Sequence, residues 1–133
     1  MKSETKSRNF ASKWSSKLAK AGHVQISNFF LENYHRLQPY PLTYGEAMFV
    51  IHLMQFKWDE AKPYPAYKTI SGRMHVSDKT ARRWAKALEG KRYLRREMRE
   101  AQTNRFDLSG LMNALDALKD VQDAAQKAKE DQE

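Results

Sequence analysis

The chain has 133 residues, of which 41% are hydrophobic and 30% are charged, and its formal net charge at pH 7 is +8. This length allows one compact domain with an added helix or tail, and the basic excess favours a polyanionic partner, either nucleic acid or an acidic membrane surface. Because the chain contains no cysteine, disulfides, thiolate zinc sites and cysteine nucleophiles are excluded.

The charges are unevenly distributed, and this predicts how the chain is divided. Residues 1–24 carry six basic residues and one acidic residue, residues 77–105 carry ten basic and four acidic, and residues 116–133 carry three basic and six acidic. We therefore predict a flexible basic arm over residues 1–24, a folded domain over residues 25–110, and a C-terminal helix with an acidic tail over residues 111–133.

Neither a signal peptide nor a membrane span is expected. Residues 1–22 are polar and rich in lysine and serine, without the apolar core of a signal peptide. The longest apolar run, residues 47–54, is far shorter than the roughly 18 residues that a spanning helix needs. These features predict a cytoplasmic protein that makes no membrane contact.

The first predicted helices are short. A helical segment is expected over residues 12–20, where Trp14 and Leu18 are four apart and could anchor it on the body of the protein. Residues 27–37 carry apolar side chains at helical spacing, and Pro39 predicts where this helix stops.

The next helix has a clear start. Thr43 and Glu46 form a capping-box pattern, in which each side chain accepts a hydrogen bond from the other residue's backbone N–H. The helix is predicted to run to about Trp58. Because its apolar residues cover nearly all sides, we expect it to be central in the fold.

Two helices with a short turn between them follow. Residues 66–74 predict a short helix, and a second helix is predicted from Asp78 to about Leu88, with Ser77 as its N-cap. The second helix has an apolar stripe at helical spacing, formed by Ala81, Trp84, Ala85 and Leu88. Its opposite side carries Lys79, Thr80, Arg82, Arg83 and Lys86.

The last part of the domain predicts a β-hairpin and a final helix. Residues 94–99 alternate as in a half-exposed strand, and Phe106 and Leu108 alternate again after a polar turn. Ser109 is predicted to cap the final helix. The apolar stripe over residues 111–128 could form a homodimer seam, pack back on the domain or link to further sequence; its many alanines weaken the seam, since alanine buries little area.

This order of elements predicts a winged helix-turn-helix, mainly α with a small β-hairpin (α+β), with extra N- and C-terminal helices. Residues 65–84 carry Pro-Ala-Tyr, then Val-Ser, then Thr-x-Arg-Arg on the second helix, and residues 104–108 read Asn-Arg-Phe-Asp-Leu. These motifs resemble the winged helix-turn-helix of plasmid and phage replication initiators and of related transcription regulators. Two departures stand out: that pattern usually has glycine where this chain has His75, and it usually ends in Lys-Gly-aromatic, whereas here Gly90 precedes Lys91, Arg92 and Tyr93.

The predicted mechanism divides DNA contacts between the second helix and the hairpin. The second helix enters the major groove, where Arg82 or Arg83 is the best candidate for bidentate contact with guanine, while the hairpin arginines hold phosphates. About six neutralised phosphates would give a slope near −5 in a plot of log affinity against log salt. The candidate DNA-binding residues are Tyr67, Lys68, Ser77, Lys79, Thr80, Arg82, Arg83, Lys86, Lys91, Arg92, Arg95, Arg96, Arg99 and Arg105.

The predicted function is sequence-specific binding of double-stranded DNA in plasmid or phage replication initiation or maintenance. A transcriptional repressor and a winged-helix protein-interaction module are the alternatives. The four histidines lack the spacing of metal ligands, and no catalytic set stands out, so no enzyme activity, metal or cofactor is expected. Association with nucleoid or plasmid is expected, with other replication or transcription proteins as further partners.

Overall fold

A computed structural model describes residues 10–56, 65–98 and 104–132 of the chain. Residues 1–9 of the predicted arm, Trp58 and most of the predicted hairpin turn lie outside these ranges. The chain forms, in order, α1 (Ser16–Lys20), α2 (Asn28–Asn33), a 3-10 turn (Tyr34–Arg36), α3 (Tyr44–Met54), α4 (Tyr67–Met74), α5 (Asp78–Gly90), β1 (Arg95–Glu97), β2 (Arg105–Asp107) and α6 (Ser109–Gln132).

Helix α3 occupies the centre of the domain, as its composition predicts. The capping box forms: the hydroxyl of Thr43 accepts from the backbone N–H of Glu46 at 3.2 Å, and the carboxylate of Glu46 accepts from the backbone N–H of Thr43 at 2.8 Å. Phe49 and Leu53 are fully buried. The helix ends at Met54, earlier than predicted, and Gln55 is its C-cap.

Helices α4 and α5 form the predicted helix-turn-helix. His75 ends α4 in the left-handed region, with φ 56° and ψ 48°, and its backbone N–H donates to the carbonyl of Gly72. The left-handed residue reverses the chain tightly, so that Ser77 can cap α5 two residues later. The predicted bounds of both helices are confirmed to within two residues.

The apolar stripe of α5 packs inward as predicted. Ala81, Ala85 and Leu88 are fully buried, and Trp84 is partly buried against the core. The indole of Trp84 lies over Gly45 of α3, and a Cβ at Gly45 would overlap its ring atoms. This close approach fixes how α5 sits on α3.

The predicted hairpin is present as a two-stranded antiparallel sheet. Arg95 pairs with Asp107, Arg96 with Phe106, and Glu97 with Arg105. Partners across an antiparallel pair share a face, so Arg96 and Phe106 point to one side and the other two pairs to the opposite side. Phe106 is buried on the side that faces α3 and α4, where its ring meets the rings of Phe49 and Tyr67.

Helix α6 packs back on its own domain at its N-terminal end. Leu111 and Leu115 are buried, and further along the side-chain amide of Gln122 donates to Asn33 of α2 at 2.9 Å. Val121, which was expected on the apolar stripe, is 66% exposed. The N-terminal part of the apolar stripe, at Leu111 and Leu115, therefore packs on the domain itself.

Two local expectations at the ends of the domain are wrong. The N-terminal start of α6 is held by Asp107, whose carboxylate accepts from both the backbone N–H and the hydroxyl of Ser109, so Ser109 is not itself the cap. Trp14 and Leu18 do not anchor the segment around α1, since they are 69% and 47% exposed. Helix α1 has only five residues and buries none of them.

Two wider properties concern only the described part of the chain. None of its helices combines the length with the apolar character that crossing a bilayer requires. Within the same ranges, no three histidine, aspartate or glutamate side chains come together as a set of metal ligands.

Candidate nucleic-acid interface

The outward side of α5 carries a row of cations. At about 100° per residue, the positions opposite Ala81, Ala85 and Leu88 are those of Lys79, Arg83 and Lys86. All three side chains are exposed, and none forms an ion pair with any of the described residues. We call Lys79, Arg83 and Lys86 the basic face of α5. The helix has 13 residues, so this face is presented on a rod about 20 Å long, a length that fits a major groove.

Arg82 lies beside this face rather than in it. Its guanidinium carbon sits 4.6 Å from the centre of the Tyr67 ring, at the start of α4. Arg82 is exposed, and its N–H groups have no hydrogen-bond acceptor among the described residues. Its charge therefore adds to the basic face while its position is set by the aromatic ring.

Tyr67 is buried and the partly exposed Arg96 is bound to it, which corrects the expectation that both are free for phosphate. Tyr67 is only 7% exposed, and its hydroxyl accepts from Arg96 at 3.1 Å. Arg96 also pairs with Glu89 of α5. Burial alone would lower the pKa of Arg96, but the hydrogen bonds to Glu89 and Tyr67 outweigh it and raise that pKa. Arg96 therefore joins the hairpin to α5.

Lys91 is also engaged within the domain, contrary to expectation. Its ammonium donates to the carbonyl of Pro41 at 2.9 Å and to the carboxylate of Glu46 at 2.6 Å. Burial of Glu46 by itself raises the pKa of that carboxyl, but the hydrogen bonds from Lys91 and Thr43 outweigh burial and hold it below its ordinary value. Lys91 thus ties the end of α5 to the start of α3.

The outer side of the hairpin is less basic than the sequence suggests. Arg95 forms ion pairs with Glu97 at 3.1 Å and with Asp107 at 3.4 Å. Arg105 is exposed and has no ion-pair partner among the described residues. Acidic residues therefore neutralise part of the positive charge of the hairpin. Arg99, the remaining hairpin candidate, lies outside the described residues.

The remaining candidates flank α5. Ser77 accepts from the backbone N–H of Thr80 at 3.1 Å and donates to the Thr80 hydroxyl at 3.0 Å, so this pair shapes the first turn of the helix. Lys68 and Arg92 are exposed. Arg92 has φ 63°, a left-handed conformation that follows α5 and turns the chain towards the hairpin.

The cations are evident from the sequence, but the acidic residues that pair with some of them are not. Glu89, Glu46 and Asp107 each bind a basic candidate, and Asp78 accepts from Ser71 of α4 at 2.5 Å. The pair of Arg95 with Asp107 follows from the hairpin register, which no strong turn signal in the sequence fixes. Among the candidate residues that the structure describes, the cations of α5 therefore remain without an ion-pair partner.

The central part of the chain is similar to a known family. Residues 41–94 match the model of a family described as a helix-turn-helix domain, and the match covers α3, α4 and α5 and ends just before β1. No curated protein matches the chain. Together with the antiparallel hairpin, the family match confirms the predicted winged helix-turn-helix fold. The match to a helix-turn-helix family indicates DNA binding in general. Domains of this family are typically not enzymes.

Proposed function

We propose that the protein binds double-stranded DNA sequence-specifically, with the basic face of α5 and Arg82 in the major groove. The observation that carries this proposal is that the outward cations of α5 have no ion-pair partner among the described residues, whereas Lys91, Arg95 and Arg96 do. Unpaired cations can displace the counterions of DNA at no cost in broken ion pairs.

This distribution of charge reduces the expected number of phosphate contacts. Lys91 and Arg96 are no longer part of the proposed interface, and Arg95 shares its charge with two acids. About four contacts then remain, which corresponds to a slope near −4 for log affinity against log salt instead of −5. Lys68, Arg92 and Arg105 are the exposed flanking cations that could supply phosphate contacts beside α5.

The proposal is tested by a pair of variants with equal charge changes. Lys79→Gln with Lys86→Gln removes two cations from the basic face, and Lys127→Gln with Lys129→Gln removes two exposed cations from α6. Fluorescence anisotropy with a duplex of random sequence, over a series of salt concentrations, should show that the first variant reduces the slope by about 1.8 and that the second leaves it unchanged. Equal effects from both variants would contradict the proposal, and an absence of duplex binding would favour a protein-interaction module.

We further propose that this binding serves replication initiation or maintenance of a plasmid or phage. The support is the resemblance of residues 65–84 and 104–108 to the motifs of replication initiators. The protein would then bind plasmid or nucleoid DNA without catalysing a reaction, and other replication proteins would be its partners there. Mapping of the DNA fragments that the chain retains from its own genome tests this: sites clustered at a replication origin support the proposal, and sites confined to promoters would show a transcriptional repressor instead.

A further inference from the structure

We propose that Arg82, and not Arg83, reads a guanine base, and that Tyr67 is the positioning residue that holds Arg82 for this contact. This inference rests on the proposed function, since it names the specificity-determining residue of the same interface. The sequence leaves both Arg82 and Arg83 as candidates for the guanine contact, because neither belongs to the buried stripe of α5. Their surroundings in the structure are different.

The ring of Tyr67 is immobilised from two directions. Its hydroxyl accepts from Arg96 at 3.1 Å, and Arg96 is itself held by Glu89. The ring meets the buried ring of Phe106 edge to face, with centroids 5.7 Å apart and planes at 83°. Tyr67 therefore offers a fixed aromatic face beside α5.

Arg82 uses this fixed face. A guanidinium that stacks on an aromatic ring keeps its plane and leaves its N–H edge free for hydrogen bonds. The planar fork of arginine, held in a defined orientation, matches guanine O6 and N7 with two hydrogen bonds, whereas lysine is a flexible point charge without this geometry. Arg83, by contrast, has no aromatic partner among the described residues, so it must lose more side-chain freedom when it binds.

The acids near Arg82 are already occupied. Glu89 lies seven residues further along the same side of α5, where it binds Arg96. Asp78, four residues before Arg82, accepts from Ser71. Neither carboxylate forms an ion pair with Arg82 in the described part of the chain, so the guanidinium keeps both its charge and its donors for the base. The Glu89–Arg96 pair therefore has two effects. It holds Arg96 against the hydroxyl of Tyr67, and it keeps Glu89 from pairing with Arg82.

The experiment begins with selection of preferred duplexes from a random library by the full-length protein. Affinities are then measured for the selected duplex, for each of its single-base-pair variants and for a random duplex at one salt concentration. Arg82→Lys keeps the charge but loses the planar fork, Arg83→Lys is the matched control, and both positions are exposed. We expect Arg82→Lys to reduce discrimination at one G·C pair, by up to about 5- to 150-fold, and Arg83→Lys to retain it.

The positioning role of Tyr67 is tested at the same base pair. Tyr67→Leu removes the aromatic face and should reduce discrimination at the G·C pair that Arg82→Lys affects, whereas Tyr67→Phe keeps the ring and should retain most of it. Adding Tyr67→Leu to Arg82→Lys should cause no further loss of discrimination. A purely structural role for Tyr67 would instead weaken binding to selected and random duplexes alike.

The outcomes separate this inference from the proposed function. If the wild-type protein enriches no sequence, sequence-specific binding itself fails. If the protein enriches a sequence but Arg82→Lys retains every base preference, or if Arg83→Lys causes the loss at the G·C pair, the inference alone is overturned.

Discussion

Gly45 is the residue that sets the distance between α3 and α5. A methyl group at this position would overlap ring atoms of the Trp84 indole, so either the indole or the two helices would have to shift. Sequence analysis placed Trp84 in the core stripe, but nothing in the spacing indicates which residue the indole would cover.

The first prediction follows from this contact. Gly45→Ala should lower the free energy of unfolding by about 1–3 kcal/mol, because overpacking outweighs the better helix propensity of alanine. Gly72→Ala in α4 is the matched control: a Cβ there has no atom within 4 Å, so the helix should gain about 0.5–1 kcal/mol. Urea unfolding of both variants measures the difference. An increase in stability from Gly45→Ala would show that Trp84 does not pack on this glycine.

Positive backbone angles show how far a single sequence predicts local geometry. His75 and Arg92 are the described non-glycine residues with positive φ. His75 stands where the resembling family usually has glycine, so the resemblance locates that turn, whereas the departure from the family pattern around Gly90 leaves the geometry at Arg92 open. Composition and periodicity alone locate neither turn, because histidine and arginine occur mostly at negative φ, and a residue that tolerates the left-handed region does not thereby adopt it.

At the scale of elements, the ion pair of Glu46 and Lys91 joins α3 to the end of α5. The carboxyl of Glu46 has a lowered pKa, so the pair stabilises the fold above the ordinary pKa range of glutamate, and this stability is lost as the pH falls through the folded-state value. The sequence predicted the capping box, because its two residues are close along the chain. It did not predict that Lys91, 45 residues away, would pair with Glu46.

The second prediction tests this pair by its pH dependence. Glu46→Gln should lower the free energy of unfolding by about 1.5–3 kcal/mol at pH 7, because it removes the negative charge that pairs with Lys91 and strengthens the hydrogen bonds that Glu46 accepts. The difference from wild type should shrink as the pH falls below about 4.5. Urea unfolding between pH 3 and pH 7 measures it, with Glu32→Gln on the exposed side of α2 as the control. A difference that stays constant with pH would contradict the account.

The hairpin shows which part of an element the sequence can predict. Alternation predicted two strands, and both are present, but the register could not be predicted because no strong turn signal fixes it. The register decides that Arg95 faces Asp107 and that Arg96 turns inward with Phe106. The hairpin was therefore expected to be more basic than it is.

The third prediction concerns the acids of the hairpin. Glu97→Gln removes one of the two carboxylates that pair with Arg95, so the affinity for any duplex should rise and the salt slope should steepen by up to about 0.9. Glu130→Gln near the end of α6 removes the same charge far from α5 and should have no effect. Weaker binding by Glu97→Gln would show that the hairpin does not lie beside DNA.

For the whole molecule, the sequence predicted the order of elements and the helix that carries the cations. Helical periodicity sufficed for this, since the buried residues Ala81, Ala85 and Leu88 determine which side of α5 faces out. The total charge of +8 was a poorer guide, because it does not distinguish free cations from those held by acids distant in sequence. Only tertiary packing makes this distinction.

Lysine acetylation with and without duplex, read by mass spectrometry, tests most directly whether the basic face of α5 contacts DNA. The fourth prediction is that a saturating duplex protects Lys79 and Lys86 strongly, while Lys127 and Lys129 stay as reactive as in the free protein. Lys91 should react slowly in both states because Glu46 binds its ammonium. Unchanged reactivity of Lys79 and Lys86 in a chain that has bound the duplex would contradict the account.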